Sequence, residues 1–297
     1  GLVVDGNTIT GFPLGIAVQG KFDVIVRNNR LVAQTDSGIW FSNSAQGINR
    51  RTMVLNNVIE NSLQAAISSV PNDPGGSVIS GNTITRSGGF FPQDSAQSFP
   101  FFGIKVDGGQ TLPITIQNNT ITQTATTPPA NFQFWGFGLF SHLAAGGNVF
   151  DGNTIQSLSG RPLGNGFNLW GGGLLDRDIV RNTKWVNLER VVNGGTTSLI
   201  SIANNLTCGV TSSDPLLATG VDPQCVFGAT RKTTAPSVAS AAAYPSEMSE
   251  TSPLVEVIVQ FKAAPGEPEH ALVTRYGGVL RQALPLVRGA HYSMPAS

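Results

Sequence analysis

Lys105 and Asp107 stand two residues apart in the alternating stretch Gly103-Ile104-Lys105-Val106-Asp107, and His142 lies beyond the next similar stretch. A spacing of two puts Lys105 and Asp107 on one face of a strand, where an amine and a carboxylate could exchange protons with a bound molecule. As a base, Lys105 could drive β-elimination on an acidic polysaccharide, a reaction that often uses calcium held by several acidic oxygens. No acidic cluster accompanies it. Glycoside hydrolysis ordinarily needs two carboxylates flanking one bond, and this face offers Asp107 alone. A lone His such as His142 is more often a satisfied surface residue than an acid/base. The candidate catalytic set is therefore Lys105, Asp107 and His142. A second charged group, Asp176, Asp178, Arg181 and Lys184, reads as a solvated strand end.

Aromatic residues share the face of the first set. Aligning the phrases of Gly-Ile-x-Val type puts their third and fifth residues outside. The third position runs Ala17, Trp40, Ala66, Lys105, Gly138, Asn168, and the fifth Gln19, Ser42, Ser68, Asp107, Phe140, Trp170. Rings beside sparse polar groups suit a sugar, because rings stack on the apolar faces of pyranosides while amides and charges take the hydroxyls. The expected substrate-binding residues are Trp40, Phe140, Trp170, Asn168 and Trp135. Trp135 closes one of two aromatic-rich insertions, 86–102 and 123–135. These insertions either build the binding edge or form a hydrophobic lid over the sheet.

The elements that must position these residues come from a phrase repeated eight times: a hydrophobic strand, an Asn, then an aliphatic residue two places on. Its clearest copies are Val4-Asp5-Gly6-Asn7-Thr8-Ile9, Val54-Leu55-Asn56-Asn57-Val58-Ile59 and Ile116-Gln117-Asn118-Asn119-Thr120-Ile121. Looser copies run from Ile179 to Lys184 and from Ile202 to Thr207. Apolar residues alternate with period two, and Gly and Asn are too frequent for helices, so each repeat is one coil of a three-strand solenoid. The Asn belongs at a corner, where its amide can satisfy bent backbone, adopt a left-handed conformation and stack on the Asn of the next coil.

Residues 1 to about 210 resemble the right-handed parallel β-helix repeats of the pectin-lyase-like superfamily. The resemblance lies in the repeat, so it implies the fold: mainly β, a right-handed parallel β-helix solenoid. It leaves the activity open among lyases, hydrolases, epimerases, adhesins and inert spikes. The polygalacturonase and pectate lyase motifs are not legible here.

Charged residues make up 12% of the chain and net charge is zero, which argues against a nucleic-acid surface. No apolar run reaches the length of a membrane span. The chain opens on Gly1 inside a strand phrase, which reads as a truncated or processed end with a coil or cap missing. Cys208 and Cys225 follow the last Asn turn. A disulfide there would close the solenoid's open end and place the protein outside the cytoplasm: extracellular, at the cell surface or periplasmic. Two free thiols are the alternative.

The domains expected are 1–230, the β-helix with its C-terminal cap; 231–253, an Ala/Ser/Thr/Pro-rich linker; and 254–297, a small β-α-β-β module. The last contains the strand Val257-Ile258-Val259-Gln260-Phe261-Lys262, a helix ending Arg275-Tyr276-Gly277-Gly278-Val279, and a strand approaching Tyr292-Ser293-Met294-Pro295. This segment resembles part of the propeptide of subtilisin-like serine proteases, also found as free-standing inhibitors. The resemblance implies packing on a protease domain. No protease catalytic Asp, His or Ser motif occurs in the chain. The sequence thus points to an exported β-helix protein that binds, and could cleave, polysaccharide. The alternatives are the N-terminal part of a secreted subtilisin-like protease precursor and a non-catalytic surface stalk.

Overall fold

A computed structural model describes residues 1–19, 23–42, 52–69, 76–96, 100–107, 112–140, 146–170, 174–194, 196–198, 200–212, 217–225, 254–260, 279–284 and 289–295. The chain forms two compact units, Gly1–Lys232 and Thr233–Ser297. The expected linker, 231–253, and the expected helix before Gly277 lie outside the described residues.

The first unit is mainly β and is built from stacked coils. Coil 1 contributes Leu2–Asp5 to sheet A, Thr8–Thr10 to sheet B and Leu14–Gln19 to sheet C. Coils 2–7 add their equivalents in the same order, and Ser201–Ala203 extends sheet A while Leu206–Cys208 and Gly220–Val221 extend sheet B, giving sheets of eight, nine and seven strands among the described residues. Every pairing is parallel and in register, as in Ile9 with Leu31, Ile84 with Ile121 and Ile16 with Ile39. Alternate residues point inward, so each sheet contributes a ladder of like side chains to one core. Val26, Val54 and Ile116 line it from sheet A; Leu31, Ile59 and Ile121 from sheet B; Ile39, Ile67 and Ile104 from sheet C; all are fully buried. Each such burial stabilises by roughly 1.5–3 kcal/mol. In the later coils the ladders turn aromatic, and Phe137, Phe150, Phe167 and Trp185 pack together with ring centroids 5.0–6.3 Å apart.

The corner between sheets A and B holds the repeated Asn, and here two residues share the work expected of one. The residue with left-handed backbone is the one before it, for example Asn28 (φ 54°), Asn56 (φ 53°) and Asn118 (φ 54°). The buried Asn follows with its side chain turned inward. Asn57 Oδ1 accepts from the backbone N–H and the Nδ2 of Asn29, both at 3.0 Å, while Asn57 Nδ2 donates to the Val26 carbonyl and to Asn82 Oδ1. The same pattern continues through Asn119 and Asn153. In the seventh coil the expected phase is one residue off: Val180, not Ile179, pairs with Phe150, and Thr183 takes the ladder position. Asn182 is instead the left-handed residue (φ 52°).

The corner between sheets B and C explains the Gly of the Gly-Ile-x-Val phrase. A Cβ at Gly103 would lie 2.5 Å from Ile121 Cγ2 and 2.7 Å from the Gly136 carbonyl oxygen, and Gly15, Gly38, Gly136 and Gly166 are equally tight. This corner also corrects the alignment of the third coil. Ser37 pairs with Ala65 and Ile39 with Ile67, so Ala66 occupies the glycine position and Ser68, not Ala66, pairs with Trp40. Ala66 is buried against the core rather than presented outside.

Past the last coil Cys208 is bonded to Cys225, and Gly220–Val221 pairs with Leu206–Cys208 as the final strand of sheet B. The second unit contains a three-stranded antiparallel sheet of Leu254–Gln260, Val279–Leu284 and Gly289–Pro295, with the third strand in the middle.

Candidate functional site

Sheet C displays the candidate residues because its strands are the longest in the coils, up to seven residues as in Phe101–Asp107 and Phe134–Phe140. Along the outside, Lys105 pairs with Ser68 on one side and with Gly138 on the other, and Gly138 pairs with Asn168. Asp107 lies beside Phe140, which pairs with Trp170.

Lys105 and Asp107 face each other. Their Nζ and Oδ2 are 3.1 Å apart, and the Lys105 ammonium sits 4.8 Å from the centroid of the Phe140 ring. Phe140 leans on Phe102, which meets Trp135 edge to face at 4.8 Å. The absence of a side chain at Gly138 makes room for this, since a Cβ there would lie 2.3 Å from the Phe102 ring. Ala65, Phe102 and Trp135 therefore form a small apolar cluster separate from the main core, with Phe140 packed against it.

This packing changes the expected role of the rings. Trp135 is 8% exposed, so it supplies an edge and not an open stacking platform. Trp40 is half-buried two coils below Lys105, with Ser68 between them in the ladder. Asn168 is buried and accepts a hydrogen bond from Asn193 Nδ2 at 2.9 Å. The backbone of Trp170 is in the sheet, while its side chain, like the whole of His142, lies outside the described residues.

A groove of about 370 Å³ opens beside this cluster over coils five to seven. Trp135 forms part of its wall together with Asn165, Arg190 and Asn193, and Arg161 and Glu189 lie at its edge. Trp135, Asn165 and Arg190 occupy the same register position in consecutive strands, so the sheet itself sets their spacing. Arg161 and Glu189 make a loose ion pair at 3.6 Å, both about half exposed. Among the described residues Arg190 has no carboxylate within ion-pair distance. Of the expected site residues whose side chains are described, only Trp135 lines this groove. Lys105 and Asp107 do not. Among the described residues Glu189 is the only carboxylate lining it, where a glycosidase ordinarily uses two.

No Gly-Ile-x-Val phrase marks Arg190 and Asn193 in the sequence, because the seventh coil has Val191 where the coils before it have Gly or, in the third, Ala66. Asn165 was legible as the residue before Gly166, one place ahead of the phrase that was read.

The described part of the insertion, 86–96 and 100–102, is anchored by an internal ion pair. Arg86 is fully buried and ion-paired with Asp94, whose other oxygen accepts from the Gly89 and Phe91 backbone N–H groups. The guanidinium also lies 5.0–5.7 Å from the ring centroids of Phe91, Phe101 and Phe132. Phe91 and Phe101 of this insertion and Phe132 of the next thus flank an internal ion pair.

Among the described residues no group of three or more His, Cys, Asp and Glu is gathered for a metal, so the acidic cluster that calcium would need is not seen there. No helix there is long and apolar enough to cross a membrane.

The family profile described as "Right handed beta helix region" matches residues 1–121, the first four coils and the start of the fifth. A search of curated proteins and a search of solved structures each return no match. Three continuous parallel sheets, the buried Asn ladder and this match together show that the first unit folds as a right-handed parallel β-helix.

Proposed function

We propose that the first unit binds an acidic or hydroxyl-rich glycan in the groove beside Trp135. The observation that carries this reading is the side-chain set Arg190, Asn165 and Asn193, held at fixed spacing by a rigid sheet. A guanidinium fork suits a carboxylate or a pair of vicinal hydroxyls, and the amides offer both donors and acceptors. With the Lys105 and Asp107 side chains turned toward each other, the support is for binding rather than turnover. Export of the protein is part of the same reading and draws support from the Cys208–Cys225 bridge.

Titration of the full chain with uronate and neutral oligosaccharides, followed by calorimetry, tests this. Loss of the Arg190 fork in Arg190→Ala should weaken uronate binding by about tenfold, since a charge-assisted hydrogen bond contributes about 1.5–3 kcal/mol. Heat from no glycan, or binding indifferent to Arg190, would end the proposal.

The strand order in the second unit supports a second reading for that part. A first-third-second antiparallel order is what the opening half of a split β-α-β arrangement produces. This agrees with a propeptide-like module that docks on a protease domain. Measuring inhibition of a subtilisin-type protease by the full chain tests it.

A further inference from the structure

The outside of sheet A has no part in the groove, yet it is patterned. One outward column runs Val3, Ile25, Met53, Val78, Thr115, Val149, Ile179 and Ser201, with Thr115 and Ser201 its polar members. Val3 is half exposed, and the rest keep an exposed edge between their ladder neighbours. Two places along each strand is a second column, charged only near its ends. In coils 1 and 2, Asp5 accepts from Arg27 Nε at 2.8 Å and from Asn28 Nδ2 at 2.9 Å. Coils 6 and 7 repeat this clasp: Asp151 accepts from Arg181 Nε at 2.9 Å and from Asn182 Nδ2 at 2.8 Å. Between the clasps the column is Leu55, Ser80 and Gln117, without charge.

Ala203 ends the column in coil 8 without charge, and over coils 1–7 the order negative, positive, three neutral, negative, positive is complementary to its own reverse, with coil 8 beyond the overlap. Centred on coil 4, every acid meets a base. A half-turn about an axis lying in the face and parallel to the strand of coil 4 does this. It reverses coil order, keeps strand direction and sets each column against itself. A parallel arrangement instead sets charges against aliphatic residues or leaves them outside the contact.

We propose that sheet A is the face on which two copies of this chain pair, with antiparallel solenoid axes and the two-fold axis at Val78 and Ser80. Asp5 then meets Arg181 of the partner subunit and Arg27 meets Asp151 of the partner subunit, joining the two clasps of each copy into four-residue networks. Val3 lies against Ile179 of the partner subunit, Ile25 against Val149 of the partner subunit, and Val78 against its own equivalent. Six coil steps of about 4.8 Å by a strand about 10 Å long give roughly 300 Å² per copy, well under the ~800 Å² of a standard interface, so the dimer is weak and dilution dissociates it.

Sedimentation equilibrium of the full chain over a wide concentration range should show a monomer–dimer equilibrium. Val78→Lys places two ammonium groups face to face on the axis and should raise the dissociation constant at least tenfold. The mild variants Val78→Cys, Ile25→Cys and Val149→Cys fix the geometry. Under oxidation Val78→Cys should cross-link to itself, Ile25→Cys should not, and Ile25→Cys mixed with Val149→Cys should. A chain that stays monomeric throughout, a dimer indifferent to Val78→Lys, or self-cross-linking of Ile25→Cys would each overturn the proposal.

Discussion

Asp178 does for Asn148 what each ladder asparagine does for its neighbour: one oxygen, Oδ1, accepts from the Asn148 backbone N–H at 2.7 Å and from its Nδ2 at 2.8 Å. The other oxygen accepts from the Asp176 N–H at 3.1 Å, and the side chain has no exposed surface. The sequence reading, which grouped Asp178 with solvated charges, is corrected here. Asp178 follows Arg177, whose positive φ of 56° turns the chain, and the turn carries the carboxylate inward.

Burial pushes the Asp178 carboxyl up to about 6, against hydrogen bonds from Asn148 that pull it down. Its folded value therefore exceeds the unfolded one, so the folded state holds an extra proton between about pH 4 and pH 6. Stability from this group is full below that window and falls as pH rises through it, by at most about 3 kcal/mol at 1.36 kcal/mol per unit. Asp178→Asn should remove this slope while keeping the acceptor for Asn148. Urea unfolding at pH 4.5 and pH 7.5 checks it: the variant should differ from the parent chiefly at the higher pH.

Thr183 interrupts the Asn ladder. Its backbone N–H still donates to Asn205 Oδ1 at 3.1 Å, but its hydroxyl turns to the Arg181 carbonyl. Among the described residues no side-chain oxygen then takes the Asn153 amide protons as Asn153 Oδ1 takes those of Asn119. Thr183→Asn should restore the run and stabilise the protein by about 1 kcal/mol, the usual net worth of a hydrogen bond. The opposite change in mid-ladder, Asn119→Ala, strands the Asn82 amide protons and the Ile79 carbonyl and should cost about 3 kcal/mol. Thermal unfolding of both variants separates the predictions by sign.

The solenoid was legible because register repeats the same demand in every coil: an aliphatic residue three places before Asn, as at Val26, Val54 and Ile116, recurs in sequence because it recurs in space. The slips came where one coil meets the demand differently. Ala66 replaces a corner Gly, and Asn182 mimics a ladder Asn while serving as the turn residue. The groove was harder to read. Trp135, Asn165 and Arg190 come together through pairing across coils, and no local phrase links residues so far apart in sequence. Lys105 and Asp107 were legible because they sit within one strand, whereas the Phe140 ring beside the Lys105 ammonium comes from the next coil.

The corner glycines give a position-specific prediction. In Gly103→Ala the new methyl would press on Ile121 and on the Gly136 carbonyl, neither of which can swing aside in a stacked coil. A cost of about 1–3 kcal/mol follows, the usual penalty of overpacking. Gly160→Ala is the control, because its nearest neighbour would be the Thr126 carbonyl at 3.8 Å. Denaturant midpoints should fall for the first variant and stay within error for the second.

Arg86 is the costliest group in the fold to leave alone, being a fully buried cation among rings. Burial pulls its guanidinium below the usual arginine range, and Asp94 opposes that shift. Removing only the carboxylate, in Asp94→Ala, leaves an uncompensated charge and should cost about 3–5 kcal/mol. It also frees the Gly89 and Phe91 amide protons that hold the insertion's first turn. Arg86→Leu combined with Asp94→Leu removes both charges from water-free surroundings and should be milder than Asp94→Ala, because apolar side chains can pack where a paired charge must be desolvated. Urea midpoints of the single and double variants decide it. A double variant at least as unstable as the single one would mean that the insertion is held by the geometry of the pair, with its desolvation penalty fully offset in the native state.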